Sequence, residues 1–323
     1  MSSPSLLTVA LQKVAKNYSN PKIEFLGIPV GSQKIGLQIT FSGNPENQKS
    51  LYPKGNTLFF EYEDLDNHCK VLWHRSDKNR DQKLKNSNFI DRFFIDFLAQ
   101  IPMELSRFTV DFFTEDSRFL EAFKRNFETK GSIKTKEIAL GVQIPAEIFG
   151  ILHYTLPGHL KKIEIMTPGD SNEKISIGQE IGDLDQWKLA EILDMEAIDV
   201  ADTKIEIFKN FREANISFSR FSMENVDELK TVSFGSFFIF QNSNVPQQFR
   251  IGSVSNFDII HELLATHGQP FLDTVEENRV RTSWFFKIPN DPEKTIRISL
   301  FTIIMEIARI PKSEIPRGAT ILG

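Results

Sequence analysis

Residues 147–166 read EIFGILHYTLPGHLKKIEIM, and residues 180–193 read EIGDLDQWKLAEIL. The first stretch predicts a short helix, a tight turn at Pro157-Gly158 and an alternating strand, and the second predicts a helix that carries one Trp. This order is one strand-and-helix unit of a layered α/β protein. Neither stretch contains a catalytic motif, so the two together indicate architecture rather than chemistry.

The same alternation extends to both sides of this stretch. Strands are predicted to begin near residues 108, 138, 160, 197 and 215, each followed by a short helix. Short strands that alternate with short helices favour right-handed parallel crossovers, and their repetition predicts an arc similar to an irregular leucine-rich repeat. A doubly wound sheet is the alternative, although the glycine turn that binds phosphate in that fold is missing. We therefore expect an α/β protein built as a one-sided, leucine-rich-repeat-like arc.

The two ends of the chain have other patterns. Residues 5–17 predict a helix, and period-two alternation over 22–42 predicts a half-buried hairpin, followed by strands in TLFFEYE and CKVLWHR. The polar run 75–88 predicts an exposed loop. Beyond residue 234, strands in FFIF, QQFRI, RTSWFFKI and IRISLFTIIMEI, together with one helix, predict a mixed cap that closes the arc.

These parts are predicted to form one continuous folded unit, because no low-complexity tract or Pro/Gly linker separates them. Its expected parts are a short helix in residues 1–20, a β-rich region in 21–99, an α/β domain in 100–310 and a C-terminal tail in 311–323.

Composition indicates a folded protein and narrows the classes of function. The chain has 323 residues, 40% hydrophobic and 25% charged, and its 29 Phe predict a core of large aromatic side chains. A net charge of -5 argues against general nucleic-acid binding. Cys69 is the single cysteine, and the first residues do not resemble a signal peptide, so an intracellular, cytoplasmic protein is expected. The longest apolar run is interrupted by Glu306 and predicts no membrane span.

Histidine and cysteine do not form a convincing metal site. On one strand, His68 and His74 share a face while Cys69 points to the other, and a fourth ligand is missing. His261 and His267 are six residues apart, whereas two imidazoles on one helix need a spacing of four to share a metal. We expect no bound metal, and we expect His267 to be packed in an apolar environment.

One acidic cluster leaves an enzyme open as the alternative function. Carboxylates recur around the Trp187 helix, and paired carboxylates can perform acid-base chemistry when a cleft holds them at a fixed separation. Acidic residues near a helix start more simply stabilise that helix. No phosphate-binding glycine loop and no nucleophile elbow occurs, so no cofactor is expected. The cluster comprises Asp183, Asp185, Asp194, Asp199 and Asp202.

Several separate runs resemble the FTH domain family of nematodes, in which this domain is often attached to an F-box. The runs are IFGILHYTLPGHLKKIEI, IGQEIGDLDQWKLAEILDME, IEIFKNFREANISFSRFSMENVDELK and HGQPFLDTVEENRVRTSWFFKIPNDPEKTIRISLF. Pro157 and Gly158 match the hinge motif of that family, and Gln186, Trp187 and Lys188 match its second signature. The resemblance covers roughly residues 100–310, and these five residues are the candidate partner-contact or family-signature positions.

The resemblance implies a protein-interaction module without catalytic activity. F-box members of the family look like target-binding subunits of Skp-cullin-F-box ubiquitin ligases, in which the F-box docks on the Skp adaptor. Here LLTVALQKVAKNYSN is similar only to the last helix of an F-box, so the F-box is expected to be truncated or missing and adaptor binding weak or absent. The expected partner is a protein, and neither nucleic acid nor a membrane is expected.

Overall fold

The structure of the protein is a computed structural model, which describes most of the chain. The described residues are 5–17, 22–42, 57–65, 68–74, 80–85, 88–100, 104–115, 117–167, 174–200, 203–218, 222–228, 248–252, 257–275, 279–288, 291–301 and 304–322. They form two compact units, unit 1 in residues 1–171 and unit 2 in residues 172–323. Each unit has a mixed β-sheet with helices, so the α/β class is confirmed. Within the described residues, no helix combines the length and the apolar character needed to cross a bilayer.

Unit 1 begins with helix α1 and an antiparallel meander of five strands. The elements are α1 (Leu6–Asn17), β1 (Lys22–Val30), β2 (Lys34–Ser42), β3 (Thr57–Leu65), β4 (His68–His74) and β5 (Arg80–Lys85). Each strand from β1 to β5 pairs antiparallel with the next one. The hairpin predicted from the alternation over 22–42 is therefore confirmed, as are the two strands that follow it.

The second half of unit 1 adds three parallel strands with intervening helices. Its elements are α2 (Phe89–Gln100), β6 (Glu104–Phe112), α3 (Ser117–Lys130), β7 (Lys134–Gly141), α4 (Pro145–Leu152) and β8 (Lys162–Met166). Strand β6 pairs parallel with β1, and β7 and β8 continue the parallel order. The sheet of unit 1 therefore runs β5-β4-β3-β2-β1-β6-β7-β8.

An aromatic cluster fixes the helices of unit 1 on one side of its sheet. Helix α2 buries Phe93 and Phe97, and the ring of Phe93 meets Tyr62 of β3 edge-on at 5.5 Å between centroids. Helix α3 inserts Phe119, whose ring is 5.7 Å from that of Phe112 on β6. Each buried Phe removes roughly 150–250 Å² of surface from water. The Phe-rich core expected from composition is confirmed here.

Unit 2 has the reverse order, with parallel strands first and antiparallel strands afterwards. Its elements are β9 (Lys174–Ile175), α5 (Gln179–Gly182), α6 (Asp185–Leu189), β10 (Ile192–Val200), a 3₁₀ helix (Ile205–Phe208), β11 (Glu213–Phe218), α7 (223–228), β12 (Gln248–Gly252), α8 (Phe257–His267), β13 (Phe271–Val275), β14 (Arg279–Ile288), β15 (Asp291–Phe301), β16 (Ile304–Pro311), a 3₁₀ helix (Lys312–Glu314) and β17 (Ile321–Leu322). Strands β9 to β12 are parallel, and β16, β15, β14 and β13 continue the sheet antiparallel.

The last residues of the chain are part of the folded unit 2. Strand β17 pairs parallel with β14, opposite Phe285 and Phe286. Ile315 and Ala319 pack against a small core cluster that contains Phe285. On the other side of this sheet, the His267 ring meets Phe286 edge-on at 4.8 Å. The packed position expected for His267 is thus confirmed.

The structure corrects two predictions about local elements and leaves a third untested. Part of the run predicted as an exposed loop, Arg80–Lys85, is strand β5, a charged edge strand of the kind that resists edge-to-edge association. The helix predicted over 180–193 is two short helices that end at Leu189, and Ile192 begins strand β10. The strand predicted in FFIF lies outside the described residues.

Candidate functional site

Pro157 and Gly158 form a tight turn between α4 and β8. The His159 N–H donates to the Leu156 carbonyl at 3.3 Å, and Gly158 has φ 76°. A hydrogen bond of this span, with Pro in the second position and a positive φ in the third, defines a type II turn, in which the third position favours glycine. Both residues are exposed, so this part of the family signature is accessible at the surface.

Trp187 lies in the core of unit 2. Its side chain is fully buried, its Nε1 donates to the Ile207 carbonyl at 2.8 Å, and its ring meets Phe211 edge-on at 5.1 Å. Gln186 beside it is also buried. A side chain without exposed surface cannot contact a partner, so of the two roles considered for Trp187 the structure supports packing.

Lys188 is the exposed member of this signature, and it stabilises the end of a short helix. Its Nζ donates to the Asp183 carbonyl at 2.9 Å and lies 3.3 Å from Oδ1 of the Asp183 side chain. Hydrogen bonds from Gln179 and Lys188 lower the pKa of Asp183 below its ordinary value. Asp183 is therefore an exposed, ionised carboxylate at the C-terminal end of α5, where its side chain contacts Gln179 and Lys188.

The rest of the acidic cluster does not converge in the described part of unit 2. Asp185 begins α6 in an exposed position, and Asp194 accepts a hydrogen bond from Asn215 at 3.4 Å on the neighbouring strand. Of Asp199 only the backbone is described, and Asp202 lies outside the described residues. An exposed, readily ionised carboxylate such as Asp183 is a poor proton donor near neutral pH.

The His and Cys residues of β4 are arranged as the alternation predicted. Cys69 is fully buried, whereas His68 and His74 lie on the opposite side of the strand, where they are half-buried. Burial raises the pKa of the Cys69 thiol to about 12. No group of three His, Cys, Asp or Glu within the described ranges could hold a metal ion.

A further candidate site is the side of the unit 1 sheet opposite its helices, which we call the open face. Alternation along β6 points Phe108, Val110 and Phe112 toward the helices and places Arg107, Thr109 and Asp111 on the open face. The same alternation runs through the neighbouring strands. The other open-face residues include Lys34, Gly36 and Gln38 of β2, Phe25, Gly27 and Pro29 of β1, Phe59, Glu61 and Glu63 of β3, Lys70 of β4, Glu137, Ala139 and Gly141 of β7, and Lys162, Glu164 and Met166 of β8.

One cluster of ion pairs covers the meander end of the open face. Lys34 Nζ lies 3.1 Å from Glu61 and 3.5 Å from Glu63, and Lys70 Nζ lies 3.4 Å from Glu63. Hydrogen bonding to Glu61 and the charges of both glutamates raise the pKa of Lys34. The four charges nearly cancel, so this cluster, the meander cluster, gives polarity without a strong net field.

A second cluster of ion pairs covers the parallel end. Arg107 Nη2 lies 3.0 Å from Glu164 Oε2, and its Nη1 lies 3.8 Å from Glu137. Lys162 Nζ is 3.6 Å from Glu164. We call these four residues the parallel cluster. Cross-strand pairs of opposite charge support the strand register as well as making a polar surface.

Small side chains lie between the two clusters. A Cβ atom built on Gly36 would approach Cγ of Pro29 to 2.4 Å, and one built on Gly27 would approach the Phe25 ring to 3.0 Å. The glycines therefore leave room for Pro29 and Phe25 to lie flat on the sheet. The centre of the open face is thus apolar and carries small or flat side chains, and its borders are polar, as in protein interfaces.

Residues 117–263 match the family model of the FTH domain. This part of the chain is similar to the FTH domain. The matched residues contain the Pro157-Gly158 turn and the signature Gln186-Trp187-Lys188, which agrees with the resemblance found in the sequence. They begin at α3 of unit 1 and extend to α8 of unit 2. No curated protein and no solved structure matches the chain.

Sequence reasoning missed the open face as a candidate site, although its signal was present. The strand predicted to begin near residue 108 contains the buried Phe108 and Phe112, and the residues that alternate with them, Arg107, Thr109 and Asp111, are the ones that the open face presents. The ion-pair partners of Arg107 are 30 or more residues away in the sequence, on β7 and β8. That separation hides the pairs until the register is known.

Proposed function

We propose that this FTH domain protein is a protein-interaction module without catalytic activity, related to the target-binding subunits of Skp-cullin-F-box ubiquitin ligases and acting in the cytoplasm. The association of the FTH family with F-box proteins supports the relation, and the open face of unit 1 supports the interaction. In this proposal, helices on one side and bare strands on the other give unit 1 the form of a leucine-rich-repeat-like arc, a form in which the strand side binds partners.

The open face is the single observation on which the proposal depends. Apart from Asp111, the charged residues named above on this face are held in ion pairs, and its centre is apolar and built on glycine. Nucleic acid needs a concentrated positive field, whereas the cations of this face are neutralised by adjacent glutamates. A protein target with its own apolar centre and charged border is therefore the partner that fits this surface.

Helix α1 supports weak or absent binding of the Skp adaptor. Its apolar side chains Leu7, Ala10 and Val14 are buried, and the helix contacts α2 and β4 inside unit 1. The apolar side of α1 is thus already occupied by intramolecular packing. The other sides of a single short helix offer much less than the roughly 800 Å² per partner of stable complexes.

The test is affinity purification with mass spectrometry, using a pair of matched variants. Glu137→Arg reverses a charge on the open face, where the Glu137 side chain is 47% exposed and pairs with Arg107 at 3.8 Å. Glu128→Arg makes the same reversal on α3, on the helix side, where the side chain is 54% exposed and pairs with Lys124 at 4.0 Å. Each variant breaks one surface ion pair, which contributes about 0–1 kcal/mol to stability.

We expect proteins that are recovered with the wild type and with Glu128→Arg to be reduced about tenfold or more with Glu137→Arg. A like charge placed opposite a complementary surface opposes binding by several kcal/mol, which is more than the 1.4 kcal/mol that corresponds to a tenfold loss. If all three proteins recover the same partners in equal amounts, the open face is not the binding surface. Stoichiometric recovery of the Skp adaptor would contradict the proposal for α1.

A further inference from the structure

Asp111 occupies an unusual position on the open face. Its strand β6 pairs in register with β7 so that Asp111 lies opposite Gly141, and a Cβ atom on Gly141 would approach Asp111 Oδ1 to 2.7 Å. The carboxylate therefore lies over the glycine and accepts a hydrogen bond from its backbone N–H. Only the missing side chain at position 141 leaves space for this arrangement.

Asp111 differs from the glutamates of the open face in having no cation partner. Glu61 and Glu63 pair with lysines, and Glu137 and Glu164 pair with Arg107. Among the residues that the structure describes, no Lys, Arg or His nitrogen lies within 4.0 Å of the Asp111 carboxylate. Burial raises its pKa, while the charge of the more distant Arg107 lowers it. Asp111 is thus a half-buried carboxylate without an ion-pair partner among the described residues.

Thr109 is a second polar residue beside Asp111 whose side chain lacks a partner in the described structure. It lies next to Asp111 on the same side of β6, is only 8% exposed, and its hydroxyl Oγ1 has no hydrogen-bond partner in the described structure. An unsatisfied buried polar group destabilises a protein, because its lost hydration is not replaced. A ligand with several N–H donors would remove this penalty once the Thr109 side chain turns toward it.

The border of this spot offers apolar contact. Phe113 follows Asp111 by two residues and remains 57% exposed, held by a hydrogen bond from its N–H to the Val30 carbonyl at 2.9 Å. Pro29 lies opposite Asp111 on β1, and Met166 lies opposite Gly141 on β8, both partly exposed. Lysine and arginine side chains place apolar stems along such surfaces and a charged group beyond them.

We propose that Asp111 and Thr109 form a notch that receives one lysine or arginine side chain of the protein target, with Phe113 and Met166 against its stem. This inference rests on the proposed function, because it identifies a contact within the same open face. The carboxylate supplies the counter-ion, and the stem covers an exposed aromatic ring, which is a frequent arrangement at interface hot spots.

The test uses a phage-displayed library of random peptides selected separately on the wild-type chain and on three variants. Asp111→Asn keeps an oxygen that can accept from the Gly141 N–H but removes the charge. Glu115→Gln, at an exposed position near the end of the same strand, removes the same charge and is the matched control. Phe113→Ala tests the stem contact without touching the carboxylate. Thermal melts confirm that each variant is folded before selection.

We expect peptides selected on the wild type and on Glu115→Gln to share a Lys or Arg at one aligned position, and this preference to fall about tenfold on Asp111→Asn. Removing one partner of a desolvated charge pair lowers affinity by at least this factor. Phe113→Ala should retain the preference with weaker binding. The proposed notch is refuted if the peptides selected on the wild type share no basic position, or if no peptides are selected at all. It is also refuted if the preference on Asp111→Asn equals that on the wild type.

These outcomes are separable from those of the proposed function. If Glu137→Arg still loses its recovered partners while Asp111→Asn keeps them and selects the same peptides, the open face binds a target without using the notch. If Glu137→Arg keeps all partners as well, the open face itself is excluded.

Discussion

Replacement of Trp187 by alanine is the sharpest test of whether the family signature packs the core or contacts a partner. The indole is fully buried, donates to the Ile207 carbonyl at 2.8 Å, and is in contact with the rings of Phe208 and Phe211. A Trp→Ala change in a core destabilises by about 3–5 kcal/mol. Within that total, leaving the buried Ile207 carbonyl unsatisfied contributes roughly 1–3 kcal/mol.

A loss of this size is a large share of the stability of an ordinary domain, which is about 5–15 kcal/mol. The variant Trp187→Phe separates the two contributions, because it retains most of the ring and removes the hydrogen bond. The adjacent exposed residue gives a matched control: Lys188→Ala breaks the contacts to Asp183 and should change stability by about 0–1 kcal/mol.

The assay is urea unfolding followed by far-ultraviolet circular dichroism, with hydrogen exchange of peptides from unit 2. Exchange is needed because the chain has two compact units, and one global free energy of unfolding is defined only for two-state behaviour. We expect faster exchange in the peptides that carry α6 and β11 for Trp187→Ala, with little change for Lys188→Ala. A destabilisation below about 1 kcal/mol together with loss of partner binding would refute the packing role.

Three further predictions concern single side chains. The Cys69 thiol, whose pKa burial raises to about 12, should react with disulfide reagents at neutral pH only after urea is added, and rapid labelling of the native chain would contradict its burial. Gly158→Ala should destabilise unit 1 by about 1 kcal/mol in urea unfolding, because alanine strains the positive φ of 76°, and an unchanged midpoint would argue against the type II turn. The Glu147 carboxylate accepts from the backbone of Gln143 and Ile144, and burial raises its pKa above 4.5, so its contribution to stability is fully present below pH 4.5 and is lost as pH rises through the raised pKa. The free energy of unfolding of the wild type relative to Glu147→Gln should therefore fall from acidic to neutral pH, and a difference that is constant with pH would contradict this.

Much of the secondary structure of unit 1 could be predicted from the sequence because its hydrophobic periodicity is strong. Phe93, Phe94 and Phe97 recur at the spacing of one helical face and lie in α2, and the alternation over residues 22–42, which includes Ile35, Leu37 and Ile39, predicted the hairpin strand β2. Strand β5 was missed because its run RDQKLK has few apolar residues. An edge strand with a charged surface has no need of an apolar alternation, and its pairing with β4 decides its conformation.

The short helices of unit 2 were less predictable. The run 180–193 satisfies a helical period as one element, but Ala190 has an extended backbone and Ile192 joins β10. The burial of Trp187 against Phe208 and Phe211 outweighs the weak local preference for one longer helix. Tertiary packing, rather than propensity, sets where α6 ends.

The sequence by itself determined the α/β class, the Phe-rich core and the similarity to the FTH domain, because periodicity, composition and motif order are properties of residues that are close together in the chain. Only the tertiary structure decided that Trp187 is buried and that the Asp111 carboxylate lies over Gly141. These facts depend on which distant strands become neighbours and in what register, and one residue of shift would move every side chain of a strand to the other face.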